Sequence, residues 1–156
     1  MKLAEALILR ADCQKRIAQL QQRLLRSAKV QEGEQPAENP ETLLSELDAA
    51  IAQLRALIQQ INQTNARTAF QNVTLSDALA ERETLQMQRN VYSNLVDAAS
   101  IRQERYTRSE VKFFSTVAIA QIQNQVDRLS RNYRELDAQI QALNWQTDLI
   151  EVSRET

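Results

Sequence analysis

The stretch PETLLSELDAAIAQLRALIQQINQTN, residues 40–65, decides the fold. Leu44, Leu47, Ile51, Leu54, Ile58, Ile61 and Asn65 recur in it at alternating steps of three and four. That spacing gathers them on one narrow face of an α-helix. Asn39, just before it, is a good N-cap, and Pro40 suits the first helical position. Such a helix rises ~1.5 Å per residue. It draws its stability from packing rather than from propensity, so the rest of the chain must supply apolar partners.

The partners are visible on both sides. Residues 2–28 place Leu3, Ala6, Cys13, Ile17, Leu20 and Leu24 on one stripe, with Arg10 interrupting it. Residues 74–100 carry a less regular stripe through Leu75, Leu79, Leu85, Tyr92 and Val96, behind a capping-box-like start at Thr74 and Asp77. Residues 116–150 return to steps of three and four through Ile119, Ile122, Val126, Leu129, Tyr133, Leu136, Ile140 and Leu143. Four stripes of similar length are most simply satisfied by packing on one another. The expected fold is all-α: an antiparallel four-helix bundle of long coiled-coil-like helices, with residues 1–156 as a single domain. Helices two and four are expected to pack together, burying Leu47, Ile51, Leu54, Ile58, Leu129, Leu136 and Ile140.

Composition agrees. One Gly, two Pro and 20 Gln in 156 residues leave few places to turn. Nineteen basic and 20 acidic residues nearly cancel, so no general attraction to nucleic acid or an anionic membrane is expected. There is no histidine, which removes the commonest general base and most zinc and di-iron ligand sets. The expectation is a protein that is not an enzyme and holds no cofactor. Cys13 is the only cysteine, which excludes an internal disulfide. It lies on the core stripe and reads as a small buried hydrophobe. No apolar run reaches the ~20 residues of a transmembrane helix. The N-terminus, interrupted by Glu5 and Arg10, does not read as a signal peptide. A cytoplasmic protein is expected.

The connectors depart from the helical monotony. The first, KVQEGEQPAENP (residues 29–40), holds the only Gly and both Pro, and reads as an exposed acidic loop. The second, ARTAFQNV (residues 66–73), can form a tiny hairpin turning at Gln71 and Asn72. The third, RYTRSEVKFFSTV (residues 105–117), alternates with a period of two, which predicts an extended segment with one inward face. Phe70, Tyr106, Phe113 and Phe114, four of the seven aromatics, lie in connectors. Connectors carrying them are expected to be ordered and packed, on a bundle end or on a second subunit.

The strings AKVQEGEQPAENP, INQTNART, TLSDALAERE, RYTRSEVKFFSTV and LNWQTDL resemble the septicolysin-like family of small bacterial helical proteins. The resemblance covers most of the chain, and the strings outside the helical repeats make it more specific than heptad similarity would be. It implies a cytolysin and brings no catalytic residues. Where the family pattern has glycine near position 72, this chain has Asn72, a residue that tolerates positive φ.

Two groups of residues stand out as candidate sites. Tyr106, Phe113, Phe114 and Trp145 form the candidate association surface, the first three as a clamp and Trp145 as an off-stripe anchor. In an up-down bundle the basic residues Arg102, Arg105, Arg108 and Lys112 would meet Glu32, Glu34 and Glu38. Interleaving of basic and aromatic residues also fits a nucleic-acid strip, but the chain lacks net positive charge and any such module, so no nucleic-acid partner is expected. The second group is a polar cluster of Asn62, Asn65, Asn144 and Asp148, with Thr64 and Thr147, where the ends of helices two and four would meet. It reads as a register-fixing network, or else as an oxygen-ligand cation site. The functional expectation is a self-assembling homo-oligomer acting through protein–protein association. A membrane-active, pore-forming protein is the alternative, and an enzyme with an oxygen-ligand metal site is the third.

Overall fold

The computed structural model describes residues 1–100 and 111–151. Four helices and one small hairpin follow in order: α1 (Leu3–Arg26), α2 (Pro40–Arg67), β1 (Ala69–Phe70), β2 (Val73–Thr74), α3 (Leu75–Ala99) and α4 (Ile119–Gln146). Among the described residues the fold is all-α apart from that two-stranded hairpin. The chain divides into two compact units. The first holds α1, α2, the hairpin and the segment from Ala142 onward. The second holds residues from Leu75 to Gln141.

In the first unit α1 and α2 run antiparallel. Cys13 Sγ lies 3.1 Å from the Ala50 carbonyl oxygen, and Arg16 pairs with Glu46 at 3.9 Å. The α1 stripe expected from the sequence is the buried one: Leu3, Ala6, Cys13 and Leu20 are buried, and Ile17 and Leu24 pack beside them. Cys13 serves as the small buried hydrophobe expected. Helix α2 follows a different stripe from the one expected. Leu43, Ala50, Leu57, Ile61 and Thr64 are buried, with Leu47 and Leu54 packed on the same core. These again step by three and four. Leu44 and Ile51, expected in the core, are 48% and 39% exposed. The face of α2 turned to α1 is thus rotated by one residue. Ala50 sits on it opposite Cys13, and two small side chains let the helices approach closely there.

The caps agree with the sequence. Asn39 Oδ1 accepts the Glu41 N–H at 2.9 Å, and Pro40 opens the helix without wasting a donor. At the other end of α2 the chain makes the expected hairpin, pairing Ala69 with Thr74 and Phe70 with Val73. Phe70 is buried there, as an ordered aromatic connector requires. The positive φ of the turn falls on Gln71 (52°) rather than on Asn72. A left-handed backbone costs a residue with a Cβ about 1–2 kcal/mol. Gln71→Val is therefore expected to destabilise by ~1–2 kcal/mol, while Gln71→Gly keeps or raises the midpoint in urea denaturation.

A feature that side-chain periodicity does not foretell closes this unit. Residues 1–3 lie antiparallel to residues 147–149. Leu3 N–H donates to the Thr147 carbonyl at 2.9 Å, Leu149 N–H donates to the Met1 carbonyl at 2.9 Å, and Lys2 pairs with Asp148 as an isolated bridge. Glu5 accepts the Lys2 N–H at 2.7 Å and so completes the start of α1.

In the second unit α3 and α4 are also antiparallel. Arg82 reaches Asp137 at 2.7 Å, and seven residues further along α3 Arg89 donates to Ser130, seven residues back along α4, at 3.1 Å. The expected α4 stripe holds: Val126, Leu129 and Ile140 are buried, and Ile119, Ile122, Tyr133, Leu136 and Leu143 are half-buried. Helix α4 starts three residues later than the sequence suggests. Ser115 Oγ accepts the Val117 N–H at 3.2 Å and donates to its carbonyl at 2.7 Å, a local turn that competes with helix.

Candidate functional site

The expected clamp falls partly on residues outside those described: Tyr106, Arg102, Arg105 and Arg108 lie there, as do Thr107 and Ser109 of the alternating pattern. The described remainder corrects the reading. Residues 111–115 form no strand, and Val111, Lys112, Phe113 and Phe114 are all exposed, so they offer no inward face. Phe113 and Phe114 are 73% and 80% exposed. They do not seal an end of their own chain. Trp145 is 55% exposed, in keeping with its place off the stripe.

Of the three acidic residues expected to meet that connector, Glu38 has a partner close in sequence. Glu38 lies on Arg23, accepting from its Nε at 2.9 Å and from its Nη2. Arg23 is one helical turn before the end of α1, so the pair ties the first connector to the helix it leaves. This guanidinium holds the Glu38 carboxyl below its usual range, chiefly through the side-chain hydrogen bond. Lys2 does the same for Asp148, at 2.7 Å. A carboxylate whose pKa is lower folded than unfolded contributes stability that is present above its ordinary range. That contribution is lost as pH falls through the folded value. Stability is therefore expected to drop as pH is lowered from ~6 to ~3, with ordinary carboxylate values near 4. In Glu38→Gln the drop should be smaller, so wild type and variant converge in acid. Parallel urea melts at the two pH values check this.

The polar residues at the ends of α2 and α4 sit in the first unit. Asn144 and Thr64 are buried, Asn65 and Thr147 are half-buried, and Asn62 and Asp148 are exposed. What joins the two segments is Thr64, whose Oγ1 accepts the Ile150 N–H at 3.0 Å and donates to the Gln60 carbonyl at 2.7 Å. Asp148 is turned to Lys2. Among the described residues no three His, Cys, Asp or Glu side chains converge as metal ligands would.

The feature that does carry over the surface is apolar. On one flank of the α1–α2 seam, charge pairs border the core: Arg16–Glu46 and Arg23–Glu38. The opposite flank, by heptad position, holds Gln14 and Gln21 of α1 and Leu44, Ile51 and Ile58 of α2, with no charge among them. Leu44 and Ile51 stand out of it to solvent. In the second unit Met87, Val91 and Leu95 step by four along α3 and are likewise exposed. Scattered exposed hydrophobes are ordinary, but rows of them at helical spacing mark surfaces that meet a partner. In the sequence this signal is a second apolar stripe on α2, beside the one that forms the core.

A family model described as a family of unknown function, DUF6847, matches residues 10–149. The chain belongs to the DUF6847 family. Over 96% of its length it is similar to 99% of a functionally unknown conserved protein from Corynebacterium diphtheriae, known from a crystal structure, at 46% identity and a TM-score of 0.91. At that identity and TM-score the two chains share the fold. No curated protein matches the chain.

Proposed function

We propose that this protein acts by self-association, as a homo-oligomer without catalytic activity, in the cytoplasm. The carrying observation is the surface. Large apolar side chains stand exposed in rows at helical spacing, and a standard interface buries about 1,600 Å² in total. Leu44, Ile51, Met87, Val91, Phe113, Phe114 and Trp145 supply exposed apolar side chains for it. Completing a coiled-coil-like antiparallel bundle from the two helical hairpins is part of the same reading. Tyr106, Phe113, Phe114 and Trp145 then serve between subunits.

The resemblance to the septicolysin-like family supports a second reading, in which the neighbouring exposed rings of Phe113 and Phe114 enter a lipid surface. Among the described residues no helix is long and apolar enough to cross a membrane, so such an activity would rest on this loop. One double variant, Phe113→Ser with Phe114→Ser, separates the two. Association predicts a smaller mass at a given concentration, a melting midpoint unchanged at dilutions where both proteins are monomeric, and no leakage from dye-loaded phosphatidylcholine–phosphatidylglycerol vesicles with either protein. Leakage by the wild type that the variant abolishes, with unchanged mass, would replace association by membrane activity.

A further inference from the structure

The association reading leaves open which surface meets which, and α2 carries a pattern that answers it. Leu44, Ile51 and Ile58 recur every seven residues along the uncharged flank of the α1–α2 seam. Just outside this row lie Glu41, Asp48, Arg55 and Asn62, again seven apart and all exposed. The first two are acidic and the third is basic. Among the described residues neither Asp48 nor Arg55 has an ion-pair partner, whereas Glu38 and Glu46 on the other flank each have one.

We infer that this face of α2 is an isologous seam between two copies of the chain, packed antiparallel about a two-fold axis beside Ile51. This rests on the association reading and adds its geometry. Leu44 and Ile58 lie seven residues either side of Ile51, so the axis sets each against the other across the seam. Ile51 meets its own counterpart. Asp48 and Arg55 lie three before and four after Ile51, and the same axis sets each Asp48 against the partner subunit's Arg55. Glu41 meets the partner subunit's Asn62, an acceptor against a donor. A parallel pairing would carry the two charged rows to opposite edges of the seam and leave Asp48 and Arg55 without partners, whereas the antiparallel register pairs them. A two-fold axis also requires one patch to complement itself, as this sequence of charges does. No charge on the row itself has to be desolvated to close the contact.

The test uses the full chain and sedimentation equilibrium over a broad dilution series. Asp48→Arg turns two attractions into two repulsions and should raise the dimer dissociation constant by about tenfold. Arg55→Asp should do the same. Both together restore the pairing with its signs exchanged and should return the constant to near the wild-type value. Both sites are exposed, so at dilutions where every protein is monomeric the melting midpoint should be unmoved. In a Cys13→Ala background, Ile51→Cys should form a disulfide-linked dimer on mild oxidation. An oligomeric wild type whose constant ignores both single charge changes overturns the α2 seam and leaves self-association standing. A wild type that stays monomeric throughout overturns self-association itself, and the seam with it.

Discussion

Leu20→Ala is expected to destabilise the protein by about 2–5 kcal/mol. Leu20 is 1% exposed and sits in the α1–α2 core with Cys13, Leu43 and Ala50, with Ile17, Leu24, Leu47 and Leu54 packed around it. Removing its isobutyl group loses the transfer free energy of the buried carbons. It also leaves a cavity that two long helices cannot collapse without moving their whole seam. Leu25→Ala is the matched control, five residues along the same helix and 69% exposed. It should change stability by less than ~0.5 kcal/mol. Urea denaturation followed by circular dichroism reads both. Equal, small losses would mean that α1 does not turn this face inward.

Ile140→Ala should cost a similar ~2–5 kcal/mol. Ile140 is fully buried on α4. Its neighbours on the stripe, Leu136 and Leu143, are only half-buried, so it is the position where a lost side chain has least room to be replaced by water. Met87→Ala on α3, with its side chain exposed, should fall within ~0.5 kcal/mol of wild type in the same experiment. Denaturation curves in which the Met87 change outweighs the Ile140 change would reverse the inside and outside of the second unit.

The helices were legible because their apolar residues keep a 3.6-residue rhythm and their ends are marked. Asn39 and Pro40 start α2 where the sequence puts them, and the hairpin turns at Gln71 and Asn72. On α1 and α4 a single stripe of large residues left no choice of face. Helix α2 offered two. Leu47, Leu54 and Ile61 belong to both; beside them stand Leu44, Ile51 and Ile58 on one side and Leu43, Ala50 and Leu57 on the other. Weighing residues by size favours Ile51 over Ala50. Close helix approach at Cys13 favours the alanine, a tertiary fact that a one-dimensional pattern does not contain. The turn shows the same limit. Asn72 has the better intrinsic preference for positive φ, but the strand register places that conformation on Gln71.

The candidate sites were less legible, because they depend on long-range partners. Glu38 lies on Arg23, nearby on the helix before it, a pairing that the match with a distant connector does not foretell. The bridge between residues 1–3 and 147–149 is made of backbone groups, which leave no trace in side-chain identity. Thr64 was placed correctly at the end of α2, yet its contact is the Ile150 amide rather than another side chain. The aromatics of the third connector were read as packed because exposed Phe is costly. Phe113 and Phe114 are exposed in the single chain, and that cost is what association would remove.

Sedimentation equilibrium of the wild-type chain, from high to low micromolar and below, tests self-association most directly. The account predicts a mass of at least two chains, each 17.9 kDa, at the upper concentrations, falling toward one chain on dilution. A mass of 17.9 kDa at every concentration would contradict it.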